Sequence, residues 1–273
     1  MRCARRMRTQ SLQHAKWMIK PVVVTRPIVQ AEAFAQRIAA LGRSAIVFPL
    51  LEIEPLADPA ELRAALSDLT AYAMVAFVSP NAIDATFGIV RDWPKQVALA
   101  VVGDGSKAAL ARHGLTSANA DIVSPLDPAR SDSETLLDAL DVRALRGRRV
   151  LIVRGETGRE LLADALRSAG IEVRQVAAYR RNAPAPNQAR RMQLTALANS
   201  ENDWVITSSE ALRNLIQMTQ QMLGDADVAK ILQQNLIISH MRIEETAKAL
   251  GFRHITLTGS GDEQLLAALQ FPQ

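Results

Sequence analysis

Short aliphatic runs alternate along the chain with longer segments in which apolar residues recur every three or four positions. The short runs predict strands, and the longer segments predict helices that bury one face. The strands that the pattern predicts include residues 22–25, 74–78, 98–102, 150–153, 203–207 and 235–239. One helix is predicted over residues 58–69, because Asp58-Pro59 is typical of a helix start, with Asp as cap and Pro in the first turn. Alternating strands and helices predict an α/β fold with parallel sheets and helices on both faces.

The pattern of the first half of the chain returns in the second half. Residues 22–42 and 150–170 share five identities in register, at Val22/Val150, Arg26/Arg154, Glu32/Glu160, Ala35/Ala163 and Gly42/Gly170. Four further segments recur in the same order, at offsets of 128 to 137 residues: 48–55 with 176–184, 76–83 with 205–212, 99–114 with 236–251, and 133–140 with 262–269. This ordered repetition predicts an internal duplication that produces two similar, doubly wound parallel-sheet domains.

Length and charge narrow the class of protein. A chain of 273 residues fits two domains at roughly 150 residues each. Residues 1–20 contain six basic and no acidic side chains, so the remainder of the chain carries about −2 of the formal net charge of +4. We interpret residues 1–20 as a disordered basic leader, with a transit peptide or a mis-assigned start before Met18 as the alternatives.

The rest of the composition argues against nucleic-acid and membrane partners. No basic stripe continues into the folded part and aromatic residues make up only 4%, so nucleic-acid binding is not expected. No apolar run approaches the ~20 residues that cross a bilayer, and we expect no membrane association. The single cysteine, Cys3, lies in the leader, which is typical of a protein of the reducing cytoplasm.

The candidate chemistry lies directly after the predicted strands. In parallel sheets, ligands bind beyond the carboxyl ends of the strands, where helix N-termini present free N–H groups. The residues at these ends are mostly hydroxyl-bearing or glycine, with two arginines: Arg26, Ser79, Asn81, Gly103, Ser106, Arg154, Gly155, Thr207, Ser208, Ser209 and Ser239. Such a set favours anion binding over a charge-relay site.

Several of these residues have a simpler structural interpretation. Ser79 and the pair Ser208-Ser209 fit helix N-caps. Arg26 and Arg154 could pair with a nearby Glu instead of binding a ligand.

Three further signals are ambiguous. Gly103-x-Gly105-x-x-Ala108 resembles a dinucleotide fingerprint, but it lies in a later strand–helix turn and its counterpart at residues 239–241 lacks glycine. His240 is either an acid–base group or a structural residue. Tyr179, in the extended stretch 173–186, either presents a phenol between the two halves or buries its ring at a hinge.

Seven motifs in order resemble the uroporphyrinogen-III synthase family: TRP (25–27), FPLLEI (48–53), FVSPNAI (77–83), VVG (101–103), VLIVRGETGRELL (150–162), AAYRR (177–181) and ITSSEALRNL (206–215). The resemblance covers nearly all of residues 21–270. It implies two similar α/β domains joined by a two-stranded β ladder, with the active site in the cleft between them. One domain would comprise residues 21–48 and 183–273, the other residues 55–175, and the crossing strands would lie at 48–56 and 173–186.

The resemblance also implies an activity. It is the cyclisation of hydroxymethylbilane, a linear tetrapyrrole with eight carboxylates, with loss of water and inversion of the terminal pyrrole ring. No metal or cofactor is implied, and we expect a monomer. Tyr179 would assist departure of the hydroxyl, and the hydroxyl-bearing residues would bind acetate and propionate groups. The turn Ser239-His240-Met241-Arg242 departs from the Gly-Pro-Thr-like turn of many relatives.

Two other functions remain compatible with the sequence. A two-lobed protein that binds a small anion without catalysis would have the same duplicated architecture, although residues 1–20 lack the apolar core of a secretion signal. A nucleotide-sugar transferase is supported only by the glycine match at 103–108.

Overall fold

The computed structural model describes residues 20–125 and 133–270, so the leader, apart from Lys20, lies outside the described residues. Within these ranges the strands are β1 (Val22–Val24), β2 (Ala45–Val47), β3 (Glu52–Pro55), β4 (Met74–Phe77), β5 (Ala98–Val101), β6 (Ile122–Val123), β7 (Arg149–Gly155), β8 (Glu172–Asn182), β9 (Asp203–Ile206), β10 (Asn235–Ile238) and β11 (His254–Leu257). The helices are α1 (Ile28–Ala40), α2 (Ala60–Leu66), α3 (Pro80–Phe87), α4 (Asp104–Arg112), α5 (Ser133–Ala139), α6 (Leu161–Ser168), α7 (Gln188–Ala198), α8 (Ser209–Met222), α9 (Asp225–Ile231), α10 (Met241–Leu250) and α11 (Asp262–Gln270).

The strands form two sheets. The five-stranded sheet has the order β11-β10-β9-β1-β2 and is parallel throughout. The six-stranded sheet has the order β3-β8-β7-β4-β5-β6 and is parallel except for the edge strand β3, which is antiparallel to β8. The α/β class with parallel sheets, predicted from the alternation of strands and helices, is therefore confirmed.

The strand orders of the two sheets correspond, and the chain passes between the sheets to build them. The β1-α1-β2 unit lies beside β9 of the second half, and the β7-α6-β8 unit lies beside β4 of the first half. The passages contain β3 and β8, which pair from Glu52↔Asn182 to Pro55↔Tyr179. Pro55, which has no N–H to donate, lies in an edge strand, where proline is tolerated.

Both faces of each sheet are buried under helices. In β1, Val23 packs into a cluster with Trp204 and Phe48, whereas Val22 and Val24 pack into a separate cluster on the opposite face. Phe48 and Trp204 meet edge to face at a centroid distance of 6.2 Å. The six-stranded sheet likewise separates two clusters. Burial on both faces explains why the strands appear in the sequence as continuous aliphatic runs rather than as alternating patterns.

The helix predicted over residues 58–69 is shorter in the structure. The helix α2 begins at Ala60, one residue later than the proline-first prediction, although Asp58 Oδ1 still accepts the Ala60 N–H at 2.9 Å. After Leu66 the Ser67 hydroxyl donates to the Ala64 carbonyl, and a 3₁₀ turn follows at Leu69–Ala71. Hydroxyl and carboxylate side chains that bond the local backbone in this way end helices.

Four short elements lie outside the predicted ones: β2, β6, β11 and α9. The strand β6 has only two residues and β11 four, and each lies at the edge of its sheet. The helix α9 lies between the segments 205–212 and 236–251, where the sequence offset to the matching segments rises from 129 to 137. No helix among the described residues is long and apolar enough to cross a membrane.

Candidate functional site

The carboxyl ends of the two sheets lie close enough for side chains to bridge them. The helices α1, α8 and α10 begin at this end of the five-stranded sheet, and α3, α4 and α6 begin at this end of the six-stranded sheet. Two contacts join the opposing ends. Gln30 Nε2 of α1 donates to Asn81 Oδ1 of α3 at 3.1 Å. Arg181 of β8 forms an ion pair with Glu210 of α8, with 3.2 Å between Nε and Oε2. Helix N-termini from both sheets therefore lie near one another, and we take the space around them as the candidate site.

Ser79 caps the helix that begins on the six-stranded side of this space. Its backbone is extended, Pro80 follows in the first turn, and its Oγ accepts the Ala82 N–H at 3.2 Å. The N-cap interpretation is thus confirmed for Ser79. The same Oγ lies 3.0 Å from the hydroxyl oxygen of Tyr179. The Tyr179 ring is 5% exposed and belongs to the core cluster under α3.

A β-bulge brings the Tyr179 phenol to Ser79. The parallel register of β7 and β8 runs Arg154↔Ala177 and then Gly155↔Tyr179, so Ala178 is an extra residue on β8. Without the bulge, alternation would place Ala178 and Tyr179 on opposite faces, yet both pack into the cluster under α3. Bulges are known to redirect side chains next to functional sites.

Gly155 leaves room for this phenol. A Cβ at position 155 would lie 3.1 to 3.2 Å from Cζ, Cε2 and the hydroxyl oxygen of Tyr179. These distances are shorter than an ordinary van der Waals contact, so any side chain here would displace the ring. Gly155, predicted as a substrate ligand, therefore has a steric role that the sequence did not indicate.

The two predicted anion-binding arginines are already paired with carboxylates of the chain. Arg154 Nη1 donates to Glu160 Oε1 at 2.5 Å and to Gln175 Oε1 at 2.7 Å. Gln175 also hydrogen-bonds Glu160, and this bond, followed by Arg154, lowers the pKa of Glu160 against the opposing effect of desolvation. The pairing with a nearby Glu that the sequence left open for Arg154 is confirmed.

Arg26 has a distant partner instead of a nearby one. Its Nη1 lies 2.7 Å from Asp262 Oδ1 of α11, and its guanidinium stacks 4.5 Å from the centroid of Phe34. The side chain is only 14% exposed. One guanidinium nitrogen of Arg26 is therefore already engaged by Asp262.

The hydroxyls on the five-stranded side lie around the starts of α8 and α10. Ser208 caps α8 and accepts the N–H groups of Glu210 and Ala211 at 3.2 and 3.4 Å. Ser209 Oγ donates to the Arg242 carbonyl at 3.3 Å and accepts from Thr246 Oγ1 at 3.0 Å. Thr207 and Ser239 follow β9 and β10 and are half-buried.

His240 and Gly103 both occupy helix caps. His240 is the N-cap of α10, where its Nδ1 accepts the Arg242 N–H at 3.2 Å, as the structural interpretation of this residue predicts. Gly103 caps α4 with extended backbone that any residue can adopt. Ser106, in the first turn of α4, is only 2% exposed, so it offers little surface to a ligand.

Of the residues that connect the carboxyl ends of the two sheets, the sequence predicted Asn81 as a site residue and missed Gln30, Arg181 and Glu210. Arg181 lies two positions after Tyr179, and its Nη2 also donates to the Thr157 carbonyl at 3.1 Å. Its place in the AAYRR motif was the available signal, but the partner Glu210 depends on the tertiary structure. In residues 20–125 and 133–270, no three His, Cys, Asp or Glu side chains cluster closely enough to hold a metal ion.

One surface groove lies far from these groups. It has a volume of about 470 Å³ and is lined by residues 63–70 and 89–94, at the amino ends of β4 and β5. Its lining comes from the end of α2, the 3₁₀ turn and the segment 89–94, and includes none of the predicted site residues.

Comparison with known proteins adds an independent finding. A family model described as "Uroporphyrinogen-III synthase HemD" matches residues 32–258. The uroporphyrinogen-III synthase of Salmonella typhimurium strain LT2 is 32% identical over 257 residues, which cover 91% of this chain and 99% of that protein. The enzyme of the same name from Escherichia coli strain K12 is 30% identical with the same coverage.

Two solved structures share the fold. A mutant uroporphyrinogen III synthase from the extremely thermophilic bacterium Thermus thermophilus aligns with a TM-score of 0.55 at 15% identity, over 92% of this chain and 96% of that one. The uroporphyrinogen-III synthetase of Helicobacter pylori 26695 aligns with a TM-score of 0.56 at 14% identity, over 91% and 97%. At these identities the structures support the fold alone.

Proposed function

The chain belongs to the uroporphyrinogen-III synthase family, and we infer from this premise where and how its residues act. It is a cyclising lyase of tetrapyrrole biosynthesis. Its substrate is hydroxymethylbilane, which loses water and closes with inversion of its terminal ring. We place the reaction in the cleft between the carboxyl ends of the two sheets. The main support for this placement is the Ser79–Tyr179 hydrogen bond of 3.0 Å, which lies at the carboxyl end of the six-stranded sheet.

Tyr179 is the proposed proton donor. Its O–H bond breaks as the proton passes to the hydroxyl oxygen of the substrate, and the C–O bond breaks with its electron pair, so that water leaves. An electron-poor azafulvene-type carbon remains, and the substituted carbon of the terminal ring attacks it to form the spiro intermediate. The proton released when the rearranged macrocycle regains aromaticity restores the phenol. Such positioned proton transfer accelerates reactions about 10²- to 10⁴-fold.

The substrate carboxylates are proposed to bind the helix N-termini on both sides of the cleft. Each N-terminus offers unpaired N–H groups and a partial positive charge. This mode suits a site whose arginines, Arg26 and Arg154, already hold Asp262 and Glu160. The half-buried hydroxyls at the start of α8 and after β10 would add direct bonds: Thr207, Ser208, Ser209 and Ser239.

Orientation is the main task of such a site, since closure without ring inversion occurs spontaneously. Anchoring carboxylates at the carboxyl ends of both sheets restricts the rotation of the terminal ring, and restricting reactants in this way can contribute a large part of a rate enhancement.

We further propose an internal duplication that gave two domains, residues 21–48 with 183–273 and residues 55–175, linked by the β3–β8 ladder. We propose that the enzyme acts as a cytoplasmic monomer.

An isomer assay tests the activity directly. Hydroxymethylbilane is generated in situ, the purified protein is added, and the oxidised products are separated into type I and type III uroporphyrin. Type III is expected only with the protein present, and a sample without protein supplies the spontaneous type I. Type I alone at the spontaneous rate would overturn the proposal and favour a two-lobed anion-binding protein.

A Gly155→Ala variant should lower kcat by about 10-fold. Its Cβ would press on the Tyr179 ring at 3.1 Å and shift the hydroxyl, and a misplacement of 1 Å can cost on the order of 100-fold. Gly88→Ala is the matched control, because its Cβ would meet only backbone oxygens at 3.4 Å or more. Steady-state kinetics of both variants check this, and an unchanged kcat in Gly155→Ala would contradict the steric role.

A further inference from the structure

The Ser79 hydroxyl lies between the Ala82 N–H and the Tyr179 phenol, and its bond to the phenol has two possible directions with different consequences. The Ala82 N–H donates to Ser79 Oγ at 3.2 Å, which occupies one lone pair. The other contact of this oxygen within the described residues is the Tyr179 hydroxyl at 3.0 Å. If Tyr179 donated, the serine proton would lack an acceptor among these groups. If Ser79 donates instead, its proton is paired with the phenol oxygen, and the phenol proton stays available for another acceptor such as the substrate.

We propose that Ser79 is a positioning residue for Tyr179 and not a ligand of the substrate carboxylates, a role that rests on the proposed function of Tyr179. In this arrangement Ser79 donates to the phenol oxygen and turns the phenol proton away from α3, towards the cleft. The bond remains when Tyr179 gives up its proton, and it then stabilises the phenolate. Ser79 keeps its own proton throughout.

The surroundings fix both partners of this bond. Pro80 in the first turn of α3 restrains the cap, and Ser79 itself adopts the extended backbone of an N-cap. Asn81 follows Pro80 in the same turn. Its Oδ1 accepts a hydrogen bond at 3.1 Å from Nε2 of Gln30 in α1, which packs against the five-stranded sheet. The Tyr179 ring rests against Gly155 and is placed on this face by the bulge at Ala178. The phenol oxygen is therefore held both through its ring and through its polar contact.

The start of α3 also favours the charge that develops during the proposed step. Its partial positive charge lies next to the oxygen that becomes negative when the proton leaves. Ser79 connects the two, because its Oγ accepts a first-turn N–H of α3 while its proton points to the phenol. A hydrogen bond that strengthens as charge develops lowers the barrier and leaves ground-state binding of the substrate unaffected.

A kinetic double-mutant cycle separates positioning from substrate binding. Ser79→Ala should lower kcat about 10- to 100-fold, as expected for losing a hydrogen bond to a charged group, with KM changed less than about 2-fold. In the Tyr179→Phe background, the same substitution should change kcat less than about 3-fold, because the group it positions is gone. Ser79→Thr, which keeps both the cap and the hydroxyl, should stay within about 3-fold of the parent.

Two further variants account for the loss of the helix cap. Asn187 is exposed and caps α7 by accepting the Arg190 N–H at 2.8 Å, so Asn187→Ala should lower stability and leave kcat unchanged. Ser79→Asp keeps an acceptor for the Ala82 N–H but has no proton to donate at neutral pH. It should fold with its cap and still lose kcat at least as strongly as Ser79→Ala.

Three results would overturn the positioning role. A Ser79→Ala effect that persists in full in the Tyr179→Phe background, with a raised KM, would make Ser79 a substrate ligand. An unchanged kcat in Ser79→Asp would show that donation is irrelevant. Full turnover in Tyr179→Phe would remove the proposed function of Tyr179 as well, whereas the first two results would leave that function standing.

Discussion

Replacing Tyr179 by Phe should lower kcat by about 100-fold or more, the smaller end of what a positioned proton donor contributes. The substitution removes one oxygen and retains the ring, which is 5% exposed within the core cluster under α3. The lost hydrogen bond to Ser79 should cost only about 1 kcal/mol of the free energy of unfolding. The defect should therefore appear in turnover and not in folding.

The measurement is a single-turnover assay with hydroxymethylbilane generated in situ, read as both rate and isomer ratio. Since spontaneous closure competes, the slower variant should yield a larger share of type I product. The chain supplies a matched control in its other tyrosine. Tyr72 is 4% exposed in the same cluster, and its hydroxyl accepts from Arg174 Nη1 at 3.4 Å near the amino end of β4. Tyr72→Phe should keep the parental kcat.

Near-full turnover by Tyr179→Phe with an unchanged isomer ratio would contradict the role of the phenol. Equal losses in Tyr179→Phe and Tyr72→Phe would contradict it too, because they would indicate a general effect on the core cluster. Thermal unfolding of both variants distinguishes this second result from a specific loss of proton transfer.

An Asp203→Ala variant should lose about 3–5 kcal/mol of the free energy of unfolding, as expected when one partner of a buried ion pair is removed. Arg43 Nη2 and Asp203 Oδ2 lie 2.5 Å apart, and both side chains are 5% exposed. Asp203 Oδ1 also accepts from Asn235 Nδ2 at 2.8 Å. Without Asp203, the Arg43 charge stays buried with only neutral carbonyls, such as that of Leu269, as partners.

Urea unfolding of the variant measures this loss, and two further variants define its origin. Arg43→Met combined with Asp203→Leu should recover much of the stability, because no unpaired charge remains buried. Glu172→Ala removes an exposed pair, in which Arg149 and Glu172 are 41% and 70% exposed, and should cost less than about 1 kcal/mol. A loss below about 1 kcal/mol in Asp203→Ala would show that the buried pair contributes little.

Features that depend on neighbouring residues could be predicted from the sequence. The all-aliphatic run of β1 indicated a strand buried on both faces, and Val22, Val23 and Val24 are each fully buried. Ser79 before Pro80 indicated the start of α3, since a serine cap and a first-turn proline both act within one turn. The pair of Arg154 with Glu160, six residues apart, was open to prediction for the same reason.

Features that depend on distant residues were decided by the tertiary structure. Asp262 lies more than 200 positions after its partner Arg26, and Gln30 meets Asn81 only because α1 and α3 belong to opposing sheets. The bulge at Ala178 turns the Tyr179 phenol to the face of Ser79, although strict alternation along β8 would predict the other face.

The sequence by itself determined the α/β class with parallel sheets and the helix caps at Ser79 and Ser208, because propensity, periodicity and capping act over a few residues. Only the tertiary structure decided which side chains meet at the carboxyl ends of the two sheets and which arginines are already paired. Those outcomes follow from strand register and from the way the carboxyl ends of the two sheets lie against each other. A shift of one residue in register moves a side chain to the opposite face, and no local pattern encodes that shift.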